Sequence, residues 1–173
     1  MENDILKYQK KGEILIVGDL NARTGTLNDF IENDIFNPNT DDTYLTDINW
    51  SKRNNSDVIV NKQGKNILDT CISHRLRILN GRKIGDFMGK LTCYQSSGAS
   101  AVDYAITSHS MWENILSFQV QHLTPYSDHC PISVKLAVNI TFRTNQENTN
   151  CKKEQQKKKQ EVFFGQKIQL DNL

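Results

Sequence analysis

The aliphatic run Ile14-Leu15-Ile16-Val17 is followed at once by Gly18-Asp19-Leu20-Asn21, and no other stretch restricts the fold as strongly. Four consecutive aliphatic residues read as a buried strand. Gly18 then turns the chain, and Asp19 and Asn21, two residues apart, point into one cleft if the backbone is extended there. A carboxylate and a carboxamide so placed suit a phosphoryl-transfer or hydrolytic site, where water, metal and phosphate oxygens must be held together. The same residues equally fit a polar turn in which Asp and Asn side chains cap backbone N–H groups.

A buried strand needs covering layers, and 173 residues supply one modest domain with a core. Residues 2–10 fit a helix with Ile5, Leu6 and Tyr8 on its buried side and Gly12 as its stop. Residues 63–73 fit a second helix, with Ile67, Leu68, Cys71 and Ile72 on one face. Short strands are expected at 76–79, 91–94, 99–107, 115–121 and 132–140, the last marked by alternation of Ile132, Val134, Leu136 and Val138 with Ser133, Lys135 and Ala137. Asn80-Gly81 and Ser97-Gly98 are turn signals. Residues 24–61, rich in Asn, Asp and Thr with Phe30, Phe36 and Trp50 as apolar anchors, read as a long loop region of functional or flexible character. Several strands with few helices between them indicate an α/β sheet packing rather than a bundle. Residues 1–140 form the structured region. Residues 141–173 are a polar basic tail or linker in which the lysine-rich run after Cys151 is a solvated helix, a linker or a nucleic-acid contact.

Formal net charge is +1, so bulk charge names no partner. The four cysteines include no CxxC pair, and Cys71 with His74 lacks the second pair that a zinc site needs. No signal peptide or transmembrane run is read in the chain, so no membrane partner is expected. An intracellular setting, nucleus or cytoplasm, with reduced thiols is expected.

Two more polar sites interrupt apolar surroundings. Asp103 lies between Val102 and Tyr104, where a carboxylate is costly to bury unless paired; it fits a strand-end cap or the orienter of a histidine. Ser127-Asp128-His129 precedes the strand at 132–140. Strand alternation turns Asp128 and His129 apart, so that Asp128 faces a metal while His129 pairs with Asp103; a loop histidine beside a turn aspartate is the plainer alternative. Together with Asp19 and Asn21 these groups make a kit for metal-assisted attack of water on a phosphodiester. No P-loop lysine motif is present.

Gly18-Asp19-Leu20-Asn21-Ala22, Ser100-Ala101-Val102-Asp103-Tyr104 and Ser127-Asp128-His129 resemble the endonuclease/exonuclease/phosphatase superfamily in its C-terminal half. The nearest likeness is to the endonuclease domains of non-LTR retrotransposons, to which Asn61-Lys-Gln-Gly-Lys-Asn-Ile-Leu, Leu79-Asn80-Gly81-Arg82 and Gly89-Lys90-Leu91-Thr92 are also similar. The resemblance implies an incomplete four-layer α/β sandwich over residues 1–140 and a Mg²⁺- or Mn²⁺-dependent endonuclease acting on DNA. By the same resemblance the catalytic residues are Asp19 and Asn21 on water and phosphate, and Asp103 orienting His129; Asp128 is the metal ligand. Arg23 and Asn80 lie in similar segments without an assigned role.

Only eighteen residues precede Asp19, so the superfamily's early Asn and its metal-binding Glu have no counterpart here. The expectation is therefore a fragment of a larger polyprotein, a half-domain completed by its missing N-terminal portion, or an inactive remnant. Little or no nuclease activity is expected of the isolated chain. Two other functions stay open: a catalytically silent nucleic-acid-binding or interaction module, and a phosphomonoesterase or phosphoinositide phosphatase of the same superfamily.

Overall fold

A computed structural model of the protein describes residues 1–33, 47, 50–139 and 157–164, the last eight and residues 138–139 as backbone only. The element order is helix α1 (Glu2–Gln9), strand β1 (Leu15–Asp19), helix α2 (Lys62–Ser73), and strands β2 (Leu76–Ile78), β3 (Cys93–Gln95), β4 (Gly98–Ser100) and β5 (Asp103–Ser108). A 3₁₀ segment (His109–Asn114) and strands β6 (Ile115–Val120), β7 (Ile132–Asn139) and β8 (Lys157–Phe164) follow.

The strands form an antiparallel sheet of order β1-β5-β2, a β3-β4 hairpin and a second sheet of order β6-β7-β8. Period-two alternation explains how the first sheet is covered. From β1 and β5, Ile14, Ile16, Tyr104 and Ile106 join Ile5 of α1 and Ile67, Leu68 and Cys71 of α2 in one apolar cluster. Leu15, Val17 and Ala105, at the intervening positions, pack instead with Phe118, Val120, Ile132 and Val134 of the second sheet. The described residues thus build three layers: helices, central sheet, second sheet.

Helix α2 is amphipathic as its sequence requires, and Asn61 caps it by accepting from Gly64 N at 2.7 Å. The same Asn61 Oδ1 accepts from Arg23 N at 3.0 Å, and Asn61 N donates to Arg23 O at 2.9 Å. Gly64 sits so close to this loop that a Cβ there would lie 1.9 Å from Arg23 O. The helix start therefore holds the chain leaving β1.

Several sequence expectations need correction. In α1 only Ile5 is buried, while Leu6 and Tyr8 are about half exposed, because two turns of helix offer the core one contact row. The strand expected at 99–107 is two: β4 ends at Ser100, and Ala101–Val102 turn the chain before β5 begins at Asp103. The β3-β4 hairpin turns at Ser96–Ser97, one residue earlier than Ser97-Gly98, with Gln95 opposite Gly98.

The described part of the 24–61 region packs against the edge of β2. Buried Asp29 accepts from Ile78 N at 2.6 Å and from both terminal nitrogens of Arg82, while Arg77 is paired with Asp47. Trp50 meets His109 and Trp112 edge-on. Phe36 lies outside the described residues. From the tail, Lys157–Phe164 is a strand that pairs antiparallel with all of β7, Ile132 opposite Phe164, so this part of the basic run is neither helix nor free linker. The remainder of 140–173 lies outside the described residues.

Candidate active site

Asp19 is the last residue of β1 and Asp103 the first of β5, and the two are direct partners across the antiparallel pair. Partners on an antiparallel ladder project to the same face. Here it is the face that carries Leu15, Val17 and Ala105, so both carboxylates stand at the mouth between the two sheets.

The third strand end comes from the segment before β7. Cys93 and His129 form an isolated antiparallel bridge, flanked by Tyr94 N to Asp128 O at 2.7 Å and Cys130 N to Thr92 O at 2.7 Å. Thr92 also reaches the other way: its Oγ1 accepts from Val102 N and Asp103 N, each at 3.0 Å. One threonine thus fixes both the Asp103 end and the His129 end. Asn80, two residues past β2, holds the Asp103 end from the other side, donating to Asp103 O at 3.0 Å and accepting from Ala105 N at 3.1 Å.

This framing brings His129 Nδ1 to 2.9 Å from Asp103 Oδ2. Burial lifts the Asp103 carboxyl above its usual range against the hydrogen bonds from Thr92 and His129. Burial works the other way on His129, opposing its charged form. The Asp103 hydrogen bond and the negative charges of Asp103, Asp19 and Asp128 outweigh it and raise the imidazole pKa. The buried carboxylate expected to need a partner therefore has one.

The geometry of Asp19 and Asn21 differs from the extended-chain argument. Asn21 has φ of +49°, and its N–H donates to Asp19 Oδ1 at 2.8 Å. That is the polar-turn alternative realised, and it leaves Asp19 as the residue placed by strand geometry. Tyr104 Oη anchors the turn by donating to Ala22 O at 3.0 Å and Ala101 O at 2.7 Å. Arg23 points elsewhere, in a two-pronged pair with Asp57 at 2.7 and 2.6 Å.

Asp128 is free of the His129–Asp103 pair, as expected. Its Oδ2 accepts from Gln95 Nε2 at 2.9 Å, which holds its carboxyl below the usual range. Alternation does not separate it from His129 fully, because the bridge and the tight turn keep them together. One ligand-type atom from each of Cys93, Asp128 and His129 lies within 4.8 Å of the other two, so the trio could hold a metal ion. Its donor set is a test of which metal. Mg²⁺ takes oxygen ligands in near-octahedral order, which Asp128 satisfies and a buried thiol does not. As a closed Mg²⁺ site the trio does not fit.

Cys93, Thr92 and Gln95 were not legible as site residues. Nothing in their local sequence marks them, since their positions follow from the pairing of β3 with the segment before β7. A family model described as endonuclease-reverse transcriptase matches residues 2–133. The chain belongs to that family. The matched span runs from α1 through the start of β7 and contains every residue of the Asp19–Asp103–His129–Asp128 arrangement. Membership in the endonuclease-reverse transcriptase family gives the arrangement a hydrolytic setting. No curated protein and no solved structure matches the chain. Among the described residues no helix is long and apolar enough to cross a membrane.

Proposed function

We propose that the mouth between the two sheets carries the catalytic residues of a DNA endonuclease site that hydrolyses phosphodiesters. The observation that carries this reading is the His129–Asp103 pair at 2.9 Å with Asp19 directly opposite Asp103, in a chain of the endonuclease-reverse transcriptase family.

Asp19 orients the attacking water and accepts its proton. Asn21 donates to a phosphate oxygen. His129, held by Asp103 and with its pKa raised by the Asp103 hydrogen bond and the surrounding carboxylates, stabilises the charge that builds on the phosphoryl group. Asp128 offers a charged carboxylate to Mg²⁺ or Mn²⁺, which supplies Lewis-acid stabilisation when bound.

Because one carboxylate and a thiol do not close a Mg²⁺ site, the chain by itself is a feeble nuclease. Supercoiled plasmid incubated with the chain and Mg²⁺ or Mn²⁺, beside Asp19→Ala and His129→Ala, tests the reading. Slow nicking that vanishes in both variants is the expected result. Nicking that persists in them would sink the assignment, and faster turnover of a phosphomonoester than of DNA would move the site to phosphatase chemistry.

The same donor set favours a second reading, a catalytically silent nucleic-acid-binding module. DNA binding that is insensitive to Mg²⁺, with no nicking at any metal concentration, is its signature.

A further inference from the structure

The donor set that disagrees with Mg²⁺ agrees with another class of metal. Cys93, Asp128 and His129 offer one thiol, one carboxylate and one imidazole, and their nearest ligand-type atoms lie within 4.8 Å of one another. We propose that this trio is a binding site for a borderline transition metal of the Zn²⁺ class, with a fourth position open to water.

Backbone geometry supports the site independently of the side chains. Cys93 and His129 are opposite residues on an antiparallel bridge, so their side chains leave the ladder on one side. Two backbone hydrogen bonds of 2.7 Å, Tyr94 N to Asp128 O and Cys130 N to Thr92 O, lock that register. His129 Nδ1 is committed to Asp103, which leaves Nε2 as the ligand atom and supplies the carboxylate–imidazole support that metal-bound histidines commonly have. Cys93 closes the site from the interior and exposed Asp128 opens it to solvent, so an ion has a way in.

The distances need little change. Bonds of about 2.0–2.3 Å in a tetrahedral zinc site place ligand atoms roughly 3.5 Å apart. The trio's atoms lie within 4.8 Å of one another, so a move of at most roughly 1.3 Å closes the site, taken up by side-chain rotation of which exposed Asp128 has the most. On binding, the thiol proton leaves to solvent as the metal–sulfur bond forms. Thiolate and imidazole then select Zn²⁺ or Co²⁺ over Mg²⁺ by ligand softness.

The metal site stands without the phosphodiester reading, but its consequence rests on it. A Zn²⁺ ion here takes the same Asp128 and His129 that the reaction uses. The two occupancies exclude each other, and the ion is an inhibitor.

Co²⁺ titration of the reduced full chain, followed by absorbance, tests the site with no need for nuclease activity. The expected result is one equivalent of Co²⁺ bound with a near-ultraviolet thiolate-to-cobalt band that survives a large excess of Mg²⁺. The band should persist in Cys151→Ser and vanish in Cys93→Ser. Asp128→Asn, at an exposed position that the fold does not need, should weaken Co²⁺ binding by about tenfold or more. A band that survives Cys93→Ser, binding unchanged in Asp128→Asn, or displacement by Mg²⁺ would each overturn the proposal. None of those results bears on whether the plasmid is nicked.

Discussion

His129 Nδ1 stands 2.9 Å from Asp103 Oδ2, although Asp103 opens β5 of the central sheet and His129 lies in the segment that precedes β7 of the second sheet. The contact therefore reports how the segment before β7 seats on the end of β5 as well as the state of the histidine. Asp103 is 3% exposed, and little but His129 and Thr92 compensates its burial.

Asp103→Asn removes the charge and keeps the shape. The imidazole pKa of His129, raised in the native protein, should fall toward or below its ordinary value because burial then acts with less opposition. A pH titration of the His129 ring signals by NMR reads this directly. An unchanged titration would mean that Asp103 does not set the charge of His129.

Asp57 predicts acid sensitivity at a second place. It receives Arg23 at 2.7 and 2.6 Å and the backbone N–H groups of Ala101 and Ile59 at 3.1 Å each. Burial alone would raise its pKa, but these bonds outweigh it and lower the value. A carboxylate lowered in the folded state contributes stability that is fully present above its unfolded pKa and lost as pH falls through its folded pKa. Asp57→Ala should cost about 3 kcal/mol at neutral pH by leaving buried donors unpaired. The cost should shrink as pH drops below the ordinary carboxylate range. Urea unfolding of both proteins at several pH values measures it.

Helix propensity and packing make opposite predictions at Gly64. Alanine in a helix is better than glycine by about 1 kcal/mol. Its Cβ, however, would sit 1.9 Å from Arg23 O and 2.5 Å from the Arg23 carbonyl carbon, both backbone atoms that Asn61 holds in place. Packing should win, and Gly64→Ala should destabilise by about 2 kcal/mol or more. A rise in the denaturation midpoint would show that α2 can move away from the loop.

How far the sequence was legible follows from the range of the forces involved. The aliphatic runs Ile14–Val17 and Tyr104–Ile106 are local signals, so these two strands could be read in advance, while their pairing and the two layers that cover them could not. A partner for Asp103 was legible because a buried carboxylate requires one; that the partner is His129 came from the resemblance of the two motifs and not from the residues alone. Leu6 and Tyr8 failed because a short helix's apolar face does not say how much of it the core can accept. Cys93 failed for a different reason. Its place beside Asp128 and His129 comes from a long-range bridge register, and spacing along the chain argued against any zinc-type ligand set. The strand at Lys157–Phe164 was not legible because a lysine-rich composition records solvation, whereas the backbone is engaged by β7.

Asn80 gives the last prediction, since it joins the fold to the site. Asn80 is 3% exposed and its amide spans Asp103 O and Ala105 N, so the turn after β2 holds the backbone on both sides of Tyr104. Asn80→Ala removes a donor and an acceptor at once and leaves two buried backbone groups without partners, a loss of about 2–3 kcal/mol. Asn80→Asp keeps the acceptor for Ala105 N, but it replaces the donor to Asp103 O with a negative charge near the Asp103 carboxylate. Stability should fall in both variants. Only the aspartate should push the His129 pKa higher still, because it adds a carboxylate near the imidazole where the alanine adds none. Paired unfolding and NMR titrations separate the two effects, and equal His129 pKa values in the two variants would show that Asn80 matters to the fold alone.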